Sequence, residues 1–340
     1  MHDFYSDTKT RPTRAMREAM LTAEVGDEQK GEDPTTAALE ARVADLLGKE
    51  AAVFLPSGTM CNEIAIRVHC RPGDEIICAR SSHIVGFEGG GPAAISGAMV
   101  HPLDGVGGMF TAEQVQGAVR AASRYAPQSR LVSVEQTANM AGGAIWPLEQ
   151  LDAVAAAAKD AGLATHMDGA RLMNAVVASN VSAARWAEGF DTVWIDFTKG
   201  LGAPVGAALA GSADFIEHAW TFKQQFGGAM RQSGVLAAMC DHALDVHVDR
   251  LAEDHALARR ICDTLQTLPG VAGVLPVATN IVIFDLAETA PNAAELVDLC
   301  RAEDIALGAF GPRRIRVVTH LDVGPSSADA LCAVLARHLG

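Results

Sequence analysis

Short apolar runs alternate with segments of helical length through about the first 240 residues of this chain. The runs "AAVFLPSGT", "DEIICARSSH", "RLVSVEQTA", "GLATHMDGA" and "DTVWIDFTKG" each precede a helical or glycine-rich stretch, such as "PLEQLDAVAAAAKDAG". Strands joined through helices pair in parallel, and the polar residues that end them collect at the edge of the sheet where α/β proteins bind ligands. The sequence therefore predicts an α/β fold with its functional site at the carboxyl ends of the strands.

The pattern divides the chain into three predicted parts. Residues 1–30 form an N-terminal arm outside the core, with one helix in "TRAMREAML". Residues 31–240 form a large domain, which opens with an amphipathic helix over residues 35–47, capped by Thr35 or Thr36 and ended by Gly48. Residues 241–340 carry the long charged helix "VHVDRLAEDHALARRICDTLQTL" and two alternating strands, "ATNIVIFDL" and "RRIRVVTHLDV". This last part is predicted to be a smaller α+β domain.

Composition excludes several kinds of partner. The formal net charge of -14 and the lack of a long basic run oppose binding to nucleic acid. No stretch approaches the about 20 apolar residues that cross a bilayer, and the N-terminus carries no apolar signal segment, so we expect a cytoplasmic protein without membrane contact. The seven cysteines include no CxxC pair. We therefore expect reduced, mostly buried thiols and no bound metal.

Three strand ends carry chemistry that is informative in combination. Lys199 ends an apolar strand; an amine in apolar surroundings is a good Schiff-base nucleophile, although a lone lysine there is more often a solvated terminus. Asp168 ends a strand about thirty residues earlier, where capping a helix is its commoner role. Pyridoxal phosphate (PLP) requires such a pair, because a carboxylate keeps its ring nitrogen protonated. "LPSGTMCN" adds Ser57, Gly58 and Thr59, whose N–H and hydroxyl groups suit a phosphate.

Eight motifs occur in the order, and at about the spacing, of a known family: "SDTKTRPT", "GEDPT", "LGKEAAVFLPSGTM", "SHIVGFEGGG", "HMDGARL", "TKGLGAPVG", "GGAMRQSGVLAA" and "RIRVVTHLDV". The chain resembles the low-specificity L-threonine aldolases of the β-eliminating lyase group over nearly its whole length. The resemblance implies PLP fold type I: a large domain with a mixed, mostly parallel seven-stranded sheet flanked by helices, and a smaller C-terminal α+β domain. It also implies a homo-oligomer, a dimer with shared active sites that we expect to form a tetramer.

The resemblance assigns roles to residues around the cofactor. Lys199 corresponds to the lysine that forms the Schiff base, Asp168 to the partner of the pyridine nitrogen, and His83 to the imidazole stacked on the ring. Arg171 corresponds to the arginine near the phenolic oxygen of the cofactor and the substrate carboxylate. Thr198 belongs to the same cofactor-binding set.

The other assignments concern the phosphate and the substrate carboxylate. Gly58 and Thr59, next to Ser57, correspond to the phosphate cradle. Arg231 in "GGAMRQ" corresponds to a phosphate contact often supplied across the subunit boundary. The residues that fix the substrate carboxylate match Ser6 in the arm and Arg316 in the small domain, together with Arg171.

The implied reaction is PLP-dependent cleavage of the Cα–Cβ bond of L-β-hydroxy-α-amino acids, such as L-threonine, L-allo-threonine or phenylserine, to glycine and an aldehyde. Lys199, His83 and Arg171 are then the catalytic residues. Clamping the substrate carboxylate selects which Cα bond stands perpendicular to the cofactor and breaks. Two alternatives stay open: a β-eliminating deaminase or dehydratase acting on a substrate such as 3-hydroxyaspartate, and a PLP-binding protein without activity.

The chain departs from the family pattern at Ala138. It reads "EQTANM" where members usually read "ENTHN", so the histidine that helps to position or deprotonate the β-hydroxyl is missing. His83 or a bound water is left as the candidate base, and the pocket is expected to be larger on that side. His166 and His320 are expected to be packed, hydrogen-bonded structural residues.

Further departures lie at Lys30, where a tyrosine is common, and at Val85 and Gly86, where bulky or aromatic residues are frequent. Asp196 and Thr198 stand where cysteine and serine are typical. Together with Ala138, these residues suggest a preference for a substrate other than threonine, with neutral drift as the alternative.

Overall fold

The computed structural model describes all 340 residues, and strands and helices alternate along the first two thirds of the chain. Strands β1 to β13 are, in chain order, His2–Asp3, Ala51–Leu55, Glu75–Ala79, Met99–Leu103, Ser129–Glu135, Ala164–Gly169, Thr192–Asp196, Ala207–Gly211, Val271–Val274, Ile281–Leu286, Ile305–Ala306, Gly308–Ala309 and Arg314–Val318. Helices α1 to α14 are Arg14–Leu21, Pro34–Leu47, Gly58–His69, His83–Gly86, Gly91–Ser96, Ala112–Ala118, Leu148–Asp160, Leu172–Ser179, Ala183–Ala187, Ala213–Gln225, Gly234–Val246, Leu251–Leu265, Ala293–Ala302 and Pro325–Leu339.

Seven strands form the central sheet, in the order β2-β8-β7-β6-β5-β3-β4. The neighbours from β7 to β4 pair in parallel, whereas β8 is antiparallel to both β7 and β2. Strands β3 and β7 are buried along their whole length, as expected for central strands covered by helices on both faces. The predicted mixed, mostly parallel seven-stranded sheet is confirmed.

A second sheet, in the order β12-β13-β10-β9, is antiparallel throughout. The residues of β10 and β13 were expected to alternate between buried and exposed, but almost all of them are buried. The reason is that both faces are covered: 21 buried residues form a hydrophobic cluster on one side, and Ile281, Ile283 and Val318 form a smaller cluster of their own.

The first 30 residues contribute to both cores, contrary to the expectation of an arm outside them. Phe4 is fully buried in the cluster beneath the antiparallel sheet, and β1 pairs in parallel with β11. Met16, in α1, is fully buried in the main cluster beside the central sheet. The N-terminal segment therefore packs against the C-terminal part of the chain. The domain boundaries at 1–30, 31–240 and 241–340 stay a prediction.

Helix α2 begins one residue earlier than predicted and has a different cap. Asp33 is the N-cap, and its Oδ1 accepts a hydrogen bond from the N–H of Thr36 at 2.9 Å. The predicted caps Thr35 and Thr36 are wrong, because both lie within the first turn. The predicted end is confirmed: Gly48 adopts φ 62, a left-handed conformation that favours glycine.

All seven cysteines are free, and six of them are buried. None of the helices combines the length and the apolar character that crossing a bilayer requires.

Candidate active site

One cavity of about 210 Å³ lies at the carboxyl ends of β5, β6 and β7, beside the N-terminus of α3. Among the residues that line it are eight of the predicted site residues: Ser57, Gly58, Thr59, His83, Asp168, Arg171, Thr198 and Lys199. The others are Thr8, Glu135, Thr137, Asn139, Ala170, Trp194 and Asp196. The sheet topology thus brings together residues that are far apart in the sequence, at the edge where α/β sheets bind ligands.

The N-terminus of α3 supplies hydrogen-bond donors to this cavity. Ser57 is the N-cap, and its Oγ accepts a hydrogen bond from the N–H of Met60 at 3.3 Å. The N–H groups of Gly58 and Thr59 lie in the first turn, where a helix offers no backbone acceptor. A Cβ at Gly58 would collide with the indole of Trp194, so this close packing requires glycine. The arrangement suits an anion such as a phosphate.

Asp168 lies near the end of β6 with its carboxylate buried. Its Oδ1 accepts a hydrogen bond from the N–H of Ala170 at 3.0 Å, and its Oδ2 accepts one from Nδ2 of Asn62 at 2.9 Å. Burial raises the pKa of Asp168, while the charge of His83 and the hydrogen bond from Asn62 oppose that rise. A cationic partner would favour the carboxylate form further. A protonated pyridine nitrogen is such a partner.

Asn62, in α3, links several side chains behind the cavity. Its Nδ2 donates to Asp168 and also to Oε1 of Glu88, at 2.7 Å. Its Oδ1 accepts hydrogen bonds from Nε1 of Trp194 at 2.7 Å and from Nε2 of His166 at 3.0 Å. Asn62 is not among the residues predicted from the sequence. The signal that could have found it is its position one turn beyond "SGT", on the helix that leaves the phosphate site.

The two histidines expected to be structural are both satisfied by hydrogen bonds. His166 is fully buried between Asn62 and Oγ1 of Thr192, which is 2.9 Å from its Nδ1. Burial lowers the pKa of His166 to about 3, so the ring is neutral and donates its Nε2–H to Asn62. His320 donates from Nε2 to the carbonyl of Asp3 at 2.8 Å.

His83 lines the cavity and makes hydrogen bonds with two carboxylates. Its Nδ1 lies 2.8 Å from Oε1 of Glu88, and its backbone N–H donates to Oε2 of Glu135 at 2.8 Å. Burial disfavours its charge, but the hydrogen bond to Glu88 and the nearby carboxylates raise the pKa of His83 above its usual value. Because Nδ1 is occupied, Nε2 is the ring atom left to face a ligand.

Carboxyl groups are concentrated on this side of the cavity. Burial and the charge of Asp168 raise the pKa of Glu135 to about 7. Burial and the neighbouring Glu88 raise the pKa of Glu63 to about 8, and neither oxygen of Glu63 has a hydrogen-bond donor. Ionising these neighbouring carboxyl groups together is therefore disfavoured, and a bound cation would stabilise their charged forms.

Lys199 follows the end of β7 and forms an ion pair with Asp196. Its Nζ contacts Oδ2 of Asp196 and lies 5.6 Å from the ring centroid of Trp194. The other oxygen of Asp196 accepts hydrogen bonds from the N–H and the hydroxyl of Thr198, both at 2.7 Å. The apolar surrounding expected for Lys199 is wrong, because Asp196 lies at its amine.

Arg171, at the start of α8, is held by a residue of the N-terminal segment. Its Nε and Nη2 donate to the two oxygens of Asp7, at 2.8 and 2.7 Å, and Asn280 donates to the same carboxylate at 3.1 Å. Burial alone would raise the pKa of Asp7, but the charge and hydrogen bonds of Arg171 hold it well below its usual range. Nη1 of Arg171 makes no hydrogen bond within the chain. Asp7 is not among the residues predicted from the sequence, although it follows Ser6 directly in "SDTKTRPT".

Two residues predicted to bind the substrate carboxylate do not line the cavity. Oγ of Ser6 caps a short turn by accepting hydrogen bonds from the N–H and hydroxyl of Thr8, at 3.2 and 2.9 Å, and Thr8 lines the cavity in its place. Arg316 is buried, its guanidinium 4.1 Å above the ring of Phe310, and it donates from Nη1 to Oδ1 of Asn139 at 2.9 Å. Asn139, the partner of Arg316, lines the cavity.

Four further positions lie outside the cavity of their own chain. Arg231 is exposed and donates to Asp27 at 2.8 Å. Lys30, Val85 and Gly86 are exposed as well, and none of them lines the cavity. The phosphate contact of Arg231 across a subunit boundary stays a prediction.

The expected enlargement of the pocket at Ala138 stays a prediction. Ala138 is buried and does not line the cavity, whereas its neighbours Thr137 and Asn139 do. A Cβ built on Gly108 would lie 3.5 Å from the Cβ of Ala138, so this side chain packs under the turn that contains Gly108.

Fold and site together define a class of protein. A buried carboxylate, an amine and a helix N-terminus that line one cavity match the ring nitrogen, the aldehyde and the phosphate of PLP. The residues present therefore fit this cofactor, and the architecture is that of a PLP-dependent enzyme of fold type I. A family model described as beta-eliminating lyase matches residues 3–289. The chain belongs to the beta-eliminating lyase family, and it is a PLP-dependent lyase.

Individual relatives agree with this assignment. The chain is 40% identical over 332 residues to low-specificity L-threonine aldolase 1 of Arabidopsis thaliana, an alignment that covers 95% of this chain and 92% of the relative. It is 39% identical over 338 residues to the low specificity L-threonine aldolase of Escherichia coli strain K12, covering 99% and 98%. The solved structure of threonine aldolase from Leishmania major matches with a TM-score of 0.86 at 22% identity over 99% of both chains, which shows the common fold. The predicted family, fold type and cofactor are confirmed.

Proposed function

We propose that this chain is a PLP-dependent aldolase that cleaves the Cα–Cβ bond of L-β-hydroxy-α-amino acids, such as L-threonine, L-allo-threonine or phenylserine, to glycine and an aldehyde. The observation that carries the proposal is that Lys199, Asp168 and Arg171 line one cavity with the N-terminus of α3. The identity of about 40% to low-specificity L-threonine aldolases over most of both chains supports the reaction type.

The proposal assigns a role to each residue on the cofactor side of the cavity. PLP, when bound, supplies an electron sink for the charge left on Cα after the bond breaks. Asp168 would keep the ring nitrogen protonated; Asn62 orients the carboxylate of Asp168, and His166 in turn bonds Asn62. Gly58 and Thr59 would bind the phosphate through their N–H groups, and Lys199 would provide the amine.

The substrate side selects the bond that breaks. Asp7 fixes two nitrogens of Arg171, which leaves Nη1 for the substrate carboxylate. Holding that carboxylate in a set direction turns Cα–Cβ, rather than Cα–H, to the reactive orientation. His83, whose Nδ1 is bound to Glu88, presents Nε2 and accepts the proton of the β-hydroxyl.

The decisive test is a product analysis with the purified, PLP-loaded protein. L-threonine and L-phenylserine are supplied, and glycine plus aldehyde are quantified against ammonia plus keto acid. Equal amounts of glycine and aldehyde are expected, with no activity in Lys199→Ala. Ammonia and keto acid instead would identify the β-eliminating deaminase or dehydratase, and a loaded protein without either product would identify the inactive binding protein.

We also propose a homo-oligomer, a dimer with shared active sites that assembles into a tetramer, in the cytoplasm. Arg231 is exposed outside the cavity of its own chain, which suits a contact in the cavity of a partner subunit. The seven free cysteines suit a reducing compartment. Light scattering of the purified protein should give four times the chain mass of 35.6 kDa, and fractionation of the source cells should recover the protein in the cytoplasm.

A further inference from the structure

Asp196 is an ionisable residue in contact with the amine proposed to carry the cofactor. The carboxylate side chain is 3% exposed, and that of Lys199 is 16% exposed. The two form an ion pair inside the cavity, at a position where the family typically has a cysteine. An inference about Asp196 therefore rests on the proposed role of Lys199.

The carboxylate of Asp196 is oriented independently of the lysine. Oδ1 accepts hydrogen bonds from both the N–H and the Oγ1–H of Thr198, each at 2.7 Å. A carboxylate bonded in this way to the backbone two residues further on has a fixed side-chain direction. The second oxygen, Oδ2, then points to Lys199. The site is built to present one negative oxygen to the amine.

Other ionisable groups face Lys199 less directly. Asp7 is already paired with Arg171, and Asp168 makes its hydrogen bonds with Asn62 and a backbone N–H. Burial raises the pKa of the Cys61 thiol well above its usual range, so this group is uncharged. Asp196 is thus the carboxylate that directly compensates the charge of the lysine.

We propose that Asp196 is a positioning residue that acts as the counter-ion of Lys199, holding the amine charged and in place whenever the lysine is not bonded to PLP. The amine must lose its proton before it adds to an aldehyde. A half-buried amine without a counter-ion loses that proton more readily, because desolvation disfavours its charge. Removing the carboxylate should therefore make Lys199 reactive towards PLP at lower pH.

The test measures the recombination of PLP with full-length protein from which PLP has been removed. The rate of Schiff-base formation is followed by absorbance as a function of pH in wild type, Asp196→Asn and Asp196→Cys. The pH midpoint of the rate is expected to fall by about 1 to 3 units in both variants, the range typical for loss of a close opposite charge. Asp196→Glu, which keeps the charge, should restore most of the wild-type midpoint.

Asp191→Asn is the matched control. Asp191 accepts hydrogen bonds from the N–H and hydroxyl of Thr165 and does not line the cavity, so the variant should keep the wild-type midpoint. Midpoints of both Asp196 variants within 0.3 units (about 0.4 kcal/mol) of wild type would overturn the proposal. Asp196→Cys carries the residue typical of the family and supplies the measurement if Asp196→Asn fails to fold.

Recombination requires no amino-acid substrate, so its result is independent of whether the enzyme is an aldolase. A wild-type protein that forms a Schiff base but releases ammonia would contradict the proposed function and leave the Asp196 proposal intact. Schiff-base formation in Lys199→Ala equal to that of wild type would overturn the role of Lys199, and the Asp196 proposal with it.

Discussion

The two sides of the cavity are assembled in different ways. The cofactor side uses residues at the ends of neighbouring parallel strands, and Asn62 connects them through one helix. The substrate side joins segments at opposite ends of the chain: Asp7 bonds Arg171, 164 positions away, and Asn280, 273 positions away. The ends of neighbouring parallel strands lie side by side because the strands pair in one sheet. Asp7 contacts Arg171 only after the N-terminal segment has packed against the rest of the chain. We therefore expect the substrate side to be the more sensitive to single changes.

The largest effect is expected for Asp7→Asn. The change leaves the buried guanidinium of Arg171 without its charged partner, so the free energy of unfolding should fall by about 3 to 5 kcal/mol, and KM for the amino acid should rise. Urea unfolding and steady-state kinetics measure the two effects. Asp3→Asn, which removes an exposed pair with Lys9, should cost at most about 1 kcal/mol. Equal losses of unfolding free energy in Asp7→Asn and Asp3→Asn would contradict the expected sensitivity of the substrate side.

A smaller effect is expected for Asn62→Ala on the cofactor side. The substitution removes one hydrogen bond each from Asp168 and Glu88 and leaves the buried indole N–H of Trp194 without a partner, which costs about 1 to 3 kcal/mol. It should also weaken PLP binding about tenfold. Fluorescence titration gives the Kd for PLP. Asn292→Ala, which removes the N-cap of α13, should lower stability by about 1 kcal/mol and leave that Kd unchanged. An unchanged Kd in Asn62→Ala would show that Asp168 binds the cofactor equally well without the hydrogen bond from Asn62.

The cluster of carboxyl groups near the cavity predicts that the stability of the folded chain depends on pH. In the folded chain the pKa of Glu63 is raised to about 8, against about 4.3 for an unfolded glutamate. The folded state therefore binds more protons between these values, and stability should fall as the pH rises from about 4.3 to about 8. Glu63→Gln stays neutral, so its stability relative to wild type should grow from pH 5 to pH 8 in PLP-free protein.

Urea unfolding at several pH values measures this difference. Glu217→Gln, at an exposed position of α10, serves as the control and should follow wild type at each pH. A constant difference between Glu63→Gln and wild type would mean that Glu63 is ionised throughout.

The smallest effect is expected for Lys30→Tyr and Gly86→Tyr, which restore residues of the family type. Both positions are exposed and do not line the cavity of their own chain, so each change should alter the free energy by less than about 0.5 kcal/mol. The ratios of kcat/KM among threonine, phenylserine and 3-hydroxyaspartate should stay within about twofold of wild type. A tenfold change would place these residues in the cavity of a partner subunit and support the predicted preference for a substrate other than threonine.

The residues on the cofactor side were largely predictable because each lies in a short motif at the end of an apolar strand. A lysine, an aspartate and a "PSGT" turn follow apolar strands, and the chemistry of PLP connects them. The contacts of Ser6, Arg316 and Ala138 were not predictable in the same way. A motif shows which residue occupies a position, but the direction of its side chain depends on neighbours such as Thr8, Asn139 and the turn at Gly108.

By itself the sequence determined the α/β class, the strand ends that carry Asp168 and Lys199, and the family. These follow from periodicities and motifs that extend over a few residues at a time. Tertiary structure alone decided the pairing of Asp7 with Arg171, the network around Asn62 and the ion pair that the departure at Asp196 produces. The physical reason is that these contacts depend on burial and on side-chain direction, both of which arise only when distant segments pack together.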